Sequence, residues 1–441
     1  MAAKGKRRLI GSEIVKTGMS FGAQHRQQSY GRLPWLCAGT KKLQRFTVLA
    51  VLLAVALPAA AQRPPRVVPD RGDALVGKLP RGYSKLEPAA IAGTTDASGA
   101  GDGKAADLTR IRMLLEAASM TGDTRLVARA DAMLARQPQG GTNPDLLGLR
   151  AYSAQHKHDF SGAIHLLDTL ITVDPRNAGA RLSRAEIQLV QGRIDKARAD
   201  CSALALGVDA DTGLLCVASL NLRTGKYAVA ASLLDRLLGE FKPDDQRRSF
   251  ALLMRAEVAS RAGEANADAL YRQALDASPG DIRTRVSYAR HLRRVGRDGE
   301  VEALLAGNEQ SDTAQLQRTL AAVAAKHPDA QALVDAQARR YEIAHAVGTQ
   351  PEMRDEADFL LVLKGKPREA LALALRNFEQ QRDFEDFDIL VRAANAAGQP
   401  TALDGLHAWQ KSQGLTASDA APKKMPVVAS NKLRNAEVTK P

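Results

Sequence analysis

Between Pro144 and Leu304 the chain returns to one polarity pattern about every 33 or 34 residues, with a longer interval around Lys242–Arg248. A repeat of that length is too short to bury its own apolar faces. It is stable only when neighbours stack on it, so the period restricts the fold before any other feature is considered. Pro144–Pro175 shows the unit. Leu147, Ala151 and Ala154 mark one helical stripe. Ala163, Leu166, Leu167 and Leu170 mark a second. Asp174-Pro175 ends it, because proline lacks the amide hydrogen and disfavours helix at the residue before it.

The next units keep this phase. The second has Ala178, Ala185, Gly192, Ala197, Cys201 and Leu204. The third has Leu214, Ala218, Gly225, Tyr227, Ala230 and Leu237. Ala256, Gly263, Tyr271 and Ala274 carry the fourth, over Ser249–Pro279. Ala289, Leu292, Gly296 and Val301 carry the fifth, from Ile282. Small residues stand where two helices cross closely. From the second unit on, a glycine follows at the inner turn, where a left-handed backbone is tolerated. This pattern resembles the tetratricopeptide repeat, clearly over 144–304 and more loosely over 351–413. The usual first-helix aromatic is replaced by Leu147, Arg181, Leu214, Leu252 and Arg285.

The resemblance implies an all-α fold, a right-handed α–α superhelix of stacked helix hairpins. It also implies a concave face that binds a protein or peptide, with first helices lining it. The candidate contacts on that face are Arg150, Arg181, Arg184 and Gln188, then Asn221, Arg223, Arg285 and Arg293. Their many guanidiniums suit an acidic partner. Two other readings stay open. One is a small-anion or carboxylate binder, or an enzyme, using a polar junction at 339–358. The other is a structural spacer without a specific ligand.

Around the regular array of 144–308, helical stripes predict an N-terminal capping pair over 106–143. They also predict an irregular pair over 309–350 and further repeat-like helices over 351–413. Residues 62–105 and 414–441 read as linker and tail, rich in Pro, Gly and polar residues. Residues 1–61 read as a leader. Lys41-Lys42-Leu43-Gln44-Arg45 precedes the apolar Phe46–Leu57, and Ala59-Ala60-Ala61 follows, the order of a secretory signal cleaved after Ala61. This predicts an exported, periplasmic protein, with membrane association only through an uncleaved leader. The formal charge is +13, but ten Lys or Arg and a single Glu fall within 1–61. The remaining +4 is no nucleic-acid footprint.

No phosphate loop, serine elbow or paired-carboxylate site stands out, so no catalytic residue and no cofactor are assigned. His156, His158 and His165 lie close in sequence but lack the convergent spacing of metal ligands, and read as surface residues. Cys201 and Cys216 fall on adjacent helices of successive units. They read as two buried thiols, with a disulfide as the alternative that an exported protein permits. The densest polar neighbourhood holds Arg339, Arg340, Tyr341 and His345, followed by Arg354 and Asp355. It reads as an ion-pair junction, and as the first place to look for a carboxylate ligand. A second cluster holds Arg283, Arg285, Arg290, Arg293, Arg294 and Arg297. It reads as a solvated face that could meet an anion. The partner's identity and the oligomeric state are not encoded in any of these features.

Overall fold

The first helices of the repeating stretch are started and stopped by local chemistry. Asn143 and Asn177 accept hydrogen bonds from Leu146 and Ala180, both at 2.9 Å, and Asp209 accepts one from Thr212 at 3.1 Å. These side chains satisfy amides that the first helical turn leaves without partners. Pro144 sits in the first turn, where its missing amide costs nothing. At the far ends, Gly192, Gly225, Gly263 and Gly296 take φ of 69°, 75°, 75° and 78°.

The computed structural model describes residues 103–346 and 350–415, which lie within one compact unit. The leader and nearly all of the linker and tail fall outside the described residues. Among the described residues the fold is all-α, with eighteen α-helices and no strand. α1 (Gly103–Thr121) and α2 (Thr124–Leu134) form the first hairpin. The next three are α3 (Pro144–His156) with α4 (Phe160–Val173), α5 (Ala178–Val190) with α6 (Ile194–Ala203), and α7 (Ala210–Arg223) with α8 (Tyr227–Glu240). They are followed by α9 (Arg247–Ala262) with α10 (Ala267–Ala277), and α11 (Ile282–Arg294) with the short α12 (Val301–Leu305). α13 (Asp312–Ala324) pairs with α14 (Ala330–Ala346). α15 (Met353–Asp358) pairs with α16 (Pro367–Gln380), and α17 (Phe384–Ala397) with α18 (Asp404–Ser412).

First and second helices differ in burial. α5 buries Ser183, Glu186 and Gln188 as well as its leucines, so it is covered nearly all round. α7 likewise buries Ser219 and Asn221. The second helices α4 and α8 bury a single apolar stripe. First helices therefore form an inner layer and second helices an outer one. Alanines 163, 180, 185, 197, 218, 230, 256 and 289 are wholly buried at the crossings. Leu170, Leu204, Leu234 and Leu237 are sealed between units. Each such leucine contributes roughly 1.5–3 kcal/mol.

Cys201 and Cys216 form a disulfide between α6 and α7. This corrects the reading of two buried thiols. The chain leaves α6 through a wide helical turn, Leu204–Val208, and returns at Ala210, which brings the two cysteines to a Cα separation of 5.2 Å.

The array also touches itself across non-neighbouring units. The turn between α16 and α17 reaches the inner turn of the second unit. There the Arg382 amide donates to the Val190 carbonyl at 2.6 Å, and its guanidinium to that of Gln191 at 3.0 Å. Trp409 on α18 packs on Leu189, Ile194, Ala197 and Leu220, and its indole donates to the Gly192 carbonyl at 3.1 Å. Phe384 is buried in the core of the third and fourth units. At the other end α1 packs against α11. The C-terminal helices thus cover much of the inner layer from α5 to α9.

Candidate functional site

α11 carries Arg290, Arg293 and Arg294, which share one side of the helix by their three- and four-residue spacing. On α17, Glu385, Asp388, Ile389 and Arg392 share a side in the same way. Arg354, Asp355 and Asp358 come from α15, Arg261 from the end of α9 and Gln317 from α13. With Phe384 these side chains line a small recess of about 80 Å3, open to solvent. Six guanidiniums line it.

Most of these cations have a carboxylate. Arg261 bonds Glu385 at 2.6 Å and lies 3.9 Å over the Phe384 ring. Arg290 meets Asp355 at 3.5 Å. Arg354 lies 3.5 Å from Asp355 and 3.3 Å from Asp386. Arg392 takes two acids, Asp358 at 2.9 Å and Asp388 at 2.7 Å. Burial pushes Asp386 up to about 6, even with Arg354 beside it. Burial opposes ionisation of Glu385 too, but Arg261 and then Arg290 hold it well below the usual range.

Two arginines on the α11 wall are served differently. Arg293 donates to Gln317 Oε1 at 2.6 Å and lies 3.6 Å from Asp298, while its buried Nε has no hydrogen-bond partner. Arg294 donates to the Ser260 hydroxyl at 2.7 Å and has no carboxylate within ion-pair distance among the described residues. Burial lowers the proton affinity of both.

The sequence-predicted contact residues are mostly engaged elsewhere. Arg150 caps the carbonyl of Pro138 at 3.0 Å, Arg181 that of Pro175 at 3.1 Å, and Arg285 those of Pro279 and Leu304 at 2.8 Å. Arg184 binds Asp200 and Asp168. Gln188 and Asn221 are buried. Arg223 is shared by Glu186 at 3.5 Å and Asp383 at 2.5 Å. Arg293 alone of this group lines the recess. Of the junction residues, Arg354 and Asp355 do so. Arg339 is exposed, Arg340 binds Asp312 at 2.5 Å, Tyr341 is buried against Phe359, and His345 reaches Glu356 at 2.8 Å. The three histidines diverge. His156 packs edge-on to Tyr152, His158 reaches Glu352 at 3.1 Å, and His165 is exposed. Among the described residues no group of three or more His, Cys, Asp or Glu could hold a metal ion, and no helix is long and apolar enough to cross a membrane.

Sequence reasoning found both arginine clusters but not their convergence. It missed Arg261, Phe384, Glu385, Asp388 and Arg392. The spacing of 385, 388, 389 and 392 was the one available signal, a helical side of charge where an end unit would face water.

Inner helices buried all round, outer helices buried on one stripe, and left-handed glycines at the inner turns mark an all-α array of stacked helix hairpins, the architecture that the resemblance to the tetratricopeptide repeat implies. No family model matches the chain. Over 211 residues it is 29% identical to cellulose synthase operon protein C of Escherichia coli (strain K12), a match covering 46% of this chain and 18% of that protein. The chain therefore spans less than a fifth of that relative's length. Two solved structures are similar at 14% identity. The APC/C hetero-tetramer Cut9-Hcn1 has a TM-score of 0.46 over 72% of this chain and 62% of that one. The P58(IPK) TPR domain has a TM-score of 0.19 over 66% of this chain and 99% of that one.

Proposed function

We propose that the chain is a non-catalytic scaffold of the cell envelope that holds a partner protein, with the contact centred on the arginine recess. The observation that carries this reading is the recess itself. Five helices far apart in sequence turn their charged sides toward one open space rather than toward bulk water. Charge kept partly out of solvent is costly unless something of opposite sign meets it. An acidic partner segment is the matching surface. The signal-like leader and the Cys201–Cys216 disulfide support export to an oxidising compartment. The E. coli relative's name supports a place beside a polysaccharide-synthesising apparatus.

A photo-crosslinker at Asp388, a partly exposed residue of the recess, tests the reading in living cells, with the same group at exposed Arg236 on the outer helix as comparison. Position 388 should capture a discrete partner that position 236 does not, and Arg290→Glu should abolish the product. Equal products at both positions, or products indifferent to Arg290→Glu, would remove the recess from the contact. Export is checked separately by N-terminal sequencing of the secreted form, expected to begin at Gln62.

A further inference from the structure

The carboxylates in the recess are unevenly distributed. Arg392 has two and Arg354 has two, while Arg294 has none among the described residues. Arg293 leans to Gln317 on α13, and Arg294 leans to Ser260 on α9. Both partner helices, α13 and α9, pack against α11. A guanidinium has five N–H donors in a rigid fork. Neutral oxygens of Gln317 and Ser260 engage one donor on each, and the Arg293 Nε lies 3.6 Å from Asp298, an ion pair too long for a hydrogen bond. With six guanidiniums against four lining carboxylates, the recess carries an excess of positive charge and has donors to spare.

We propose that Arg293 and Arg294 form a binding site for the phosphate group of a small soluble phosphate ester. This rests on the recess being the ligand-facing part of the scaffold, and names the chemistry it takes. A phosphate monoester brings nearly two negative charges and three acceptor oxygens, enough to face both forks at once. A lone carboxylate brings one charge and two oxygens. Phe384 and Ile389, on the opposite wall, are buried in the core, so the phosphate is the part of the ligand that the recess grips. Glu385 and Asp388 also lie on that wall, but each is tied to an arginine of its own.

Titration calorimetry of the full chain tests the proposal with four probes: glycerol 3-phosphate, inorganic phosphate, acetate, and vesicles containing phosphatidic acid. Saturable heat is expected with glycerol 3-phosphate and inorganic phosphate, and not with acetate at the same concentration. Arg294→Gln and Arg293→Gln should each weaken binding at least tenfold. Arg236→Gln, on the outer layer, should not. Circular dichroism melts show whether the variants remain folded, and the wild-type titrations stand without them. Absence of saturable heat with either soluble phosphate would overturn the proposal, as would unchanged affinity in folded Arg294→Gln. Binding to the vesicles alone would overturn the soluble source. If phosphate fails while the Asp388 crosslink persists, this site is wrong and the scaffold reading stands. If phosphate binds and the crosslink is absent, the scaffold reading falls.

Discussion

At the inner turn of the first unit stands His158, where the next four units have glycine. Its φ is 59°, in the left-handed region. A side chain there costs about 1 kcal/mol or more relative to glycine. The imidazole reaches the Glu352 carboxylate at 3.1 Å and so ties the first unit to α15. Burial opposes protonation of His158, but the Glu352 contact outweighs it and raises the histidine above its usual value. Burial likewise pushes Glu352 up, and His158 and Arg354 bring it down to about 2. A raised histidine stabilises fully below about pH 6.5 and loses that contribution as pH rises through its folded value. A lowered glutamate stabilises above about pH 4.5 and loses it as pH falls toward 2. The tie is therefore complete between those limits. His158→Gly should be less stable than wild type at pH 5.5, and the deficit should shrink as pH rises through the histidine's folded value. Urea denaturation at pH 5.5 and 8.5 checks this; a deficit that does not shrink with pH would refute it. The missing glycine is legible seven residues after Ala151. Its compensation is not, since Glu352 lies in a different unit and no local pattern points to it. The second residue-scale expectation concerns Cys201 and Cys216. Their separation of 15 residues predicts that reduction removes about 3 kcal/mol, seen as a lower denaturation midpoint in reductant.

At the scale of elements, the hairpins were readable because helical periodicity, caps and turn glycines act within a few residues. What the elements do to each other was less so. Gly213 shows why. A methyl group there would lie 2.2 Å from the Ala205 amide nitrogen, because α7 packs directly on the wide turn after α6. Gly213→Ala should therefore cost about 1–3 kcal/mol, measured as a drop in the thermal midpoint with no change in helix content at low temperature. An unchanged midpoint would mean that α7 stands further from the turn. The sequence places this glycine inside a helix, where the usual expectation is that alanine stabilises. The contact reverses that sign. α17 is a second case. Its charged side reads as solvent-facing in an end unit, yet it forms a wall of the recess, while Phe384 at its start enters the core of units three and four.

On the scale of the whole molecule, a linear repeat array unfolds piecewise, since each unit touches only its neighbours. This array joins distant units through Arg382 with Val190, Trp409 with Gly192, and Arg223 with Asp383. These contacts couple its ends to its middle. Thermal unfolding should accordingly be one transition, with coincident curves from circular dichroism and from hydrogen exchange of α5 and α17. Trp409→Ala should cost about 2–4 kcal/mol and separate the C-terminal helices into an earlier transition. A variant that still melts as one unit would show the coupling to lie elsewhere. None of these cross-array contacts has a sequence signature, because residues so far apart in the chain share no pattern, and several of the contact residues expected from the sequence consequently lie on surfaces that the chain itself covers.

The recess is completed late in synthesis, once α17 has emerged. Its walls come from α9, α11, α13, α15 and α17, and Arg392 is needed to hold Asp358 and Asp388. Units near the N-terminus can stack as they emerge, since their contacts are local. A nascent or truncated chain ending before α17 has the arginines of α11 but no opposite wall. If the proposed ligand binds here, occupancy would distinguish chains that include α17 from those that stop before it.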